Sequence, residues 1–263
     1  LITIERGSGL NSIAAQLETE GVIENSYIFV FGTRILGAQG DLQAGEYEVV
    51  PGISARGIMA MMRDGDTVAR RFTVREGLTS YEIVRHLKTV EGLTGAVTDI
   101  PAEGVLLPNT YDFQLHEDRS AILKRLESEM EKIVLPACLI LLEREAGIAF
   151  SDMLDMECSS APKPLKTVRD VLTLASIVEK ETAVAEERER VAGVFINRLR
   201  KGMALQTDPT VIYAITKGKH KNDGKGPLGR RLLKKDLEYD SPYNTYKYPG
   251  LPPGPIANPG KAS

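Results

Sequence analysis

Thr167 to Asn197 reads TVRDVLTLASIVEKETAVAEERERVAGVFIN, two amphipathic helices in succession. Thr167 followed three residues later by Asp170 is a near-variant of the capping box and predicts a helix start. Val168, Val171, Leu172, Ala175 and Val178 recur at the spacing of one helical face. At about 100° per residue, Glu179 falls inside that apolar arc, four residues past Ala175, seven past Leu172 and eleven past Val168. Glu181 is rotated out of it, beside Asp170 on the wheel. A lone carboxylate on the buried side of a helix is costly unless it is paired or neutral. Desolvation favours the protonated form, which is what a general acid needs near neutral pH. Periodicity alone favours the plainer reading, a half-buried structural carboxylate salt-bridged to a nearby arginine. The second helix, Ala185 to Lys201, carries Val191, Val194, Phe195 and Leu199 on one face, and its charged run Glu186 to Arg190 reads as a solvated first turn or two.

The 263 residues suffice for one large or two to three small domains. Hydrophobic residues make up 42% and charged residues 26%, the balance of an ordinary globular protein. A net charge of −3 gives no reason to expect nucleic acid as a partner. No run of about 18 apolar residues spans a membrane. Cys138 and Cys158 make no disulfide framework, and spacing leaves open whether they pair. His86, His116 and His220 are scattered without metal-ligand spacing, and there is no Gly-rich phosphate loop. Neither a metal nor a cofactor is expected. The chain opens on Leu1-Ile2-Thr3-Ile4 without a Met and stops at Asn258-Pro259-Gly260-Lys261-Ala262-Ser263, so truncation at both ends is expected.

The N-terminal third holds an approximate repeat of strand, Gly turn, capping Ser or Thr, and amphipathic helix. The copies begin at Ile2, Tyr47 and Phe72. In the first, a second helix (Tyr27 to Leu36) and a returning strand (Gln43 to Val49) complete a βααβ unit resembling a LysM module. Such modules bind N-acetylglucosamine-containing glycans; the plainer reading is a unit that only packs against its neighbours. The fold class expected is therefore α+β, with a LysM-like module over 1–66, an α+β middle region with a helical arm over 67–165, and a mainly helical catalytic domain over 166–263.

Ser120 to Glu145 predicts the helical arm, interrupted at Pro136, and Gly147 to Lys166 a loop. Asp208-Pro209-Thr210 starts a further helix, with Pro209 in its first turn and Asp208 as the expected cap. Lys217 to Gly229 is a basic, Gly-rich loop. Tyr243-Asn244-Thr245-Tyr246 and the Pro/Gly-rich run Gly250 to Gly260 form a rigid irregular loop. Its amides, hydroxyls and tyrosines suit sugars, and suit a structural wrap equally.

Five ordered stretches together carry a resemblance: LASIVEKET (Leu174 to Thr182), VFINRL (Val194 to Leu199), LQTDPTVIY (Leu205 to Tyr213), YNTY (Tyr243 to Tyr246) and GLPPGPIANPG (Gly250 to Gly260). With EGVLLPNTYDF (Glu103 to Phe113), they resemble the endolytic murein transglycosylases, the MltG or YceG-like family. Leu107 and Asn109 depart from that upstream motif, where Phe and Asp are usual.

The resemblance implies a lyase that cleaves the N-acetylmuramic acid to N-acetylglucosamine β-1,4 bond within peptidoglycan glycan strands, leaving 1,6-anhydromuramoyl ends. It maps the catalytic glutamate onto Glu179, with Glu181 as the alternative. Asn197, Gln206, Asp208, Tyr213, Tyr243, Asn244, Thr245 and Tyr246 are the candidate glycan-binding residues. A single well-placed carboxylate suffices if the sugar's own 2-acetamido oxygen attacks C1. The resemblance also implies an N-terminal helix, absent from this sequence, that anchors the protein in the cell inner membrane. The catalytic part would then be periplasmic, with peptidoglycan synthases as partners. The rival readings are a non-catalytic glycan-binding scaffold and a muramidase that hydrolyses the same bond.

Overall fold

The structure is a computed structural model that describes residues 1–139, 149–220 and 226–263. It is α+β, with eight α-helices and two two-stranded sheets among the described residues. The chain falls into two compact units: residues 1–72, 91–94 and 112–118, and residues 73–90, 95–111 and 119–263.

In the first unit β1 (Ile2–Ile4), α1 (Leu10–Thr19), α2 (Ser26–Ile35) and β2 (Gly45–Tyr47) follow in the order βααβ, then α3 (Ala55–Asp64). β1 and β2 pair antiparallel in the register Ile2↔Tyr47, Thr3↔Glu46 and Ile4↔Gly45. Alternation puts Ile2, Ile4 and Tyr47 on one face, where they pack with Ile13, Leu17, Phe29, Ile58 and Met62. The Asn25 side chain caps α2 and Ser54 caps α3, each accepting from a first-turn N–H at 3.1 Å. α1 departs from the repeat: its cap is Gly9, which has no side chain to accept.

β3 (Arg70–Thr73) pairs with β4 (Thr110–Phe113). In the second unit lie α4 (Ser80–Thr89), α5 (Arg119–Ala137), α6 (Val168–Glu181), α7 (Ala185–Arg200) and α8 (Asp208–Thr216). The expected capping box is present on α6: Thr167 Oγ1 accepts from Asp170 N, and Asp170 Oδ2 from Thr167 N, both at 3.2 Å. Thr79 and Glu82 form a second such box on α4. Leu174, Ile177 and Val178 of α6 pack with Phe195 and Ile196 of α7, Leu205 and Ile256. Val194, assigned above to the packed face of α7, is instead exposed; Ile196 takes its place. The stretch read as a loop after the helical arm contains a 3-10 turn, Phe150–Met153, whose Phe150 is fully buried. Residues 140–145 of the expected helical arm, 147 and 148 of the loop after it, and 221–225 of the basic loop lie outside the described residues. Cys138 and Cys158 form a disulfide, a pairing that spacing had left open. No helix of the described residues is long and apolar enough to cross a membrane.

Residues 254–260 of the Pro/Gly-rich run are buried and run along α6 as a wrap. Ile256 N donates to Ser176 Oγ at 3.0 Å. Asn258 is fully buried; its Oδ1 accepts from Leu106 N at 2.9 Å, and its Nδ2 donates to Leu78 O and Ser80 Oγ, both at 3.1 Å. Gly104 has φ +84°, and a Cβ there would meet Pro255 Cγ at 2.6 Å, so the wrap requires glycine at that position.

Candidate active site

Glu179 sits in the last turn of α6 with its side chain 5% exposed, inside the arc that its periodicity predicts. It is not alone there. Oε1 accepts from Arg188 Nη2 at 3.0 Å. Oε2 accepts from Gly260 N at 3.0 Å and from Ser263 Oγ at 2.5 Å. The arginine pairing that the plainer reading expects is present, on a side chain buried more deeply than half, and the guanidinium meets the cost of burying the carboxyl. Arg188 belongs to the charged run read as solvated, yet its side chain is 7% exposed, because α7 turns back on α6 and points it inward.

The same Arg188 Nη2 donates to Glu76 Oε2 at 3.0 Å, and Glu76 is half-exposed. Beside it Gly77, at φ +74°, donates to Asn258 O at 3.0 Å and accepts from Lys180 Nζ at 3.0 Å. Gly260 N reaches Glu179 because the Asn258 clip fixes the wrap two residues earlier. Pro259, Gly260, Lys261 and Ser263 also line an apolar groove of about 280 Å³ with Val134 and Leu172.

A second acidic side chain was missed in the sequence. Glu103 Oε2 accepts from Ser80 N, the first N–H of α4, at 2.8 Å and faces Asn258 Nδ2 at 3.4 Å. Burial lifts its carboxyl to about 7 against those hydrogen bonds. Tyr213 and Tyr243 lie beside it, their rings tilted by 47° with centroids 4.9 Å apart, and burial and then the Glu103 charge push both phenols up. Behind α4's first turn, the buried His220 Nδ1 lies 3.2 Å from Glu82 Oε2. The only sequence signal for Glu103 was its place at the head of a family-like motif.

The remaining candidates fall into two groups, with Asn197 outside both. Gln206, Asp208, Tyr246 and Glu181 cluster at the start of α8. Tyr246 Oη donates to Asp208 Oδ1 at 2.7 Å, and Thr207 Oγ1 donates to Glu181 Oε1. Burial, then the Asp208 hydrogen bond, push the Tyr246 phenol up to about 12. Gln206 holds φ +54°, a left-handed conformation uncommon for a residue with a Cβ, while its N–H donates to Thr245 O at 3.1 Å. The cap of α8 is Thr207, not Asp208, which is the first helical residue. Asn244 and Thr245 are buried fasteners of their own loop. Asn244 Nδ2 donates to Leu237 O at 2.8 Å and Tyr239 O at 2.7 Å, and Thr245 Oγ1 accepts from Thr207 N at 3.1 Å. Asn197 is exposed on α7, away from these contacts. Among the described residues no three His, Cys, Asp or Glu side chains converge as a metal-binding group.

The YceG-like family model matches residues 2–263. The chain belongs to the YceG-like family. It is 32% identical over 274 residues to a Bacillus subtilis protein named endolytic murein transglycosylase, covering 100% of this chain and 73% of that protein. A Streptococcus pneumoniae R6 protein of the same name is 30% identical over 288 residues, covering 98% of this chain. The chain spans 50% of that pneumococcal protein's length. A YceG-like protein from Listeria monocytogenes has a similar crystal structure, with a TM-score of 0.52 and 31% identity. That likeness covers 99% of this YceG-like chain and 86% of the Listeria chain.

Proposed function

We propose that this chain is an endolytic lytic transglycosylase of peptidoglycan, a lyase that uses Glu179 as its acid–base group. The observation that carries this reading is the Glu179 carboxyl, held 5% exposed by Arg188 and Gly260 in a chain of the YceG-like family. A hydroxyl oxygen, that of Ser263, already lies 2.5 Å from Oε2, so the carboxyl can engage a sugar oxygen placed the same way.

In the first half-reaction the 2-acetamido oxygen of the muramoyl residue attacks its own C1. The C1–O4 bond to N-acetylglucosamine breaks as the Glu179 proton passes to O4. In the second, the muramoyl 6-hydroxyl gives its proton to the Glu179 carboxylate and closes on C1, displacing the acetamido oxygen. No water is consumed and the carboxyl ends protonated, as it began. General acid–base help of this kind is worth about 10²–10⁴-fold.

Gln206, Asp208 and Tyr246, with exposed or half-exposed polar atoms at the start of α8, are the glycan-binding residues best supported by position. Tyr213 and Tyr243 offer ring faces beside Glu103. Asn244 and Thr245 serve by shaping the loop. The βααβ unit from β1 to β2 is LysM-like in this reading and holds N-acetylglucosamine-containing strands. Action is extracytoplasmic, where peptidoglycan lies. Anchoring at the cell inner membrane and partnership with peptidoglycan synthases belong to the same proposal.

Mass spectrometry of purified glycan strands digested by the protein tests the reading. Anhydromuramoyl ends support it. Reducing ends heavier by one water make the protein a muramidase, and the absence of new ends makes it a binding protein.

A further inference from the structure

Arg188 is shared. Its Nη2 lies 3.0 Å from both Glu179 Oε1 and Glu76 Oε2, so those two oxygens are at most 6.0 Å apart. The two carboxyls differ in surroundings: the Glu179 side chain is 5% exposed and that of Glu76 45%. Gly260 closes the arrangement from the third side, since a Cβ there would run into Glu76. The other groups facing Glu179 are Ser263 Oγ, Gly260 N and Lys180 on its own helix, whose Nζ is committed to Gly77 O at 3.0 Å. Glu103 is engaged by Ser80 N.

An acid–base group must be uncharged in one half of its cycle and charged in the other. Were Glu179 the sole counter-charge of Arg188, each protonation would strand a guanidinium whose side chain is 7% exposed. A buried charge without a partner is strongly unfavourable, so the proton would be refused. We propose that Glu76 is a positioning residue for Glu179: it stays paired to Arg188 throughout and lets Glu179 gain and lose its proton without leaving that cation bare. With Glu179 protonated, Arg188 and Glu76 balance. With Glu179 ionised, two carboxylates share one cation, and their mutual repulsion favours return of the proton. This inference rests on the reading of Glu179 as the acid–base group.

Glu76→Gln tests it, because it keeps the shape and the acceptor for Arg188 while removing the charge. The whole guanidinium charge then falls to Glu179 and holds it ionised. The alkaline limb of the kcat profile should move to lower pH by roughly one unit, a loss of about tenfold in kcat on that limb, with KM unchanged. Glu76→Asp should restore much of the wild-type profile. A role that is only structural would lower kcat equally at every pH and move no limb, which would overturn the proposal. The ¹³C titration of the Glu179 side-chain carboxyl in the free protein gives a readout independent of turnover. It should move in the same direction in Glu76→Gln; an unchanged titration also overturns the proposal. If the wild type yields no anhydro ends, the acid–base reading fails by itself, and the titration still decides whether the two carboxyls are coupled through Arg188.

Discussion

Gly260 donates its backbone N–H to Glu179 Oε2 at 3.0 Å, across 81 residues of chain. The Pro/Gly-rich run thereby reaches this carboxyl through its backbone. The side chain that matters is Asn258, which ties the run to Leu78, Ser80 and Leu106 and so places Gly260. Asn258→Ala should cost about 2–4 kcal/mol, since it leaves Leu106 N and Ser80 Oγ short of buried partners. Urea denaturation measures that loss. Activity at a denaturant-free pH of 7 should fall further than the lost stability explains, because Gly260 is no longer held against the carboxyl.

Glu179→Gln keeps the volume of the side chain and removes its proton chemistry. Anhydro-product formation should fall by at least about 10²-fold while far-UV circular dichroism is retained. Arg188 keeps Glu76 as a partner, so unfolding should not follow. Normal turnover by the purified variant would reject Glu179 in favour of Glu181.

The Cys138–Cys158 disulfide closes a 20-residue separation. In the chain-entropy account a loop of that size is worth roughly 3 kcal/mol. The double variant Cys138→Ser, Cys158→Ser should melt several degrees lower than the oxidised wild type. A reductant should lower the wild-type Tm to match and leave the variant unchanged. Equal melting temperatures with and without reductant would place the bond outside the stability of the unit.

Glu103 gives stability a pH dependence with a definite sign. Burial raises its carboxyl from 4.5 to about 7, so between those pH values the folded chain binds more of the proton than the unfolded chain does. Stability from this group therefore declines as pH rises from about 4.5 to about 7 and is level above that. The decline is on the order of 3 kcal/mol at most. Glu103→Gln, which keeps an acceptor for Ser80 N, should flatten it. Urea midpoints taken at pH 5 and pH 8 for both proteins measure the difference.

Much of the helical framework was legible in the sequence because it is written locally. The phase of α6 follows from Val168, Leu172 and Val178, its capping box from Thr167–Asp170, and the start of α4 from the capping Thr79. The burial of Glu179 follows from the same phase. Its partner could not be read that way. Arg188 stands among Glu186, Glu187, Glu189 and Arg190, and only the turn of α7 back on α6 decides which of them points inward. Glu76 and Glu103 sit in Gly-turn segments whose neighbours arrive from distant chain, so no periodicity marks them. Asn244 and Thr245 have the composition of a sugar-gripping loop and also of a loop that satisfies its own backbone; the bonds to Leu237, Tyr239 and Thr207 were invisible until it folded. Two cysteines allow a single pairing, but their spacing does not say that the sulfurs meet.

The wrap has a consequence for the order of events at the ribosome. Its clips reach back 152 residues to Leu106 and 180 to Leu78. Contacts that span so much sequence form late, after the local helices. During synthesis α6 and α7 can pair while Glu179 still lacks the Gly260 amide, which lies 81 residues further along the chain. A growing chain would thus carry an unfinished carboxyl cradle until the wrap closes over α6.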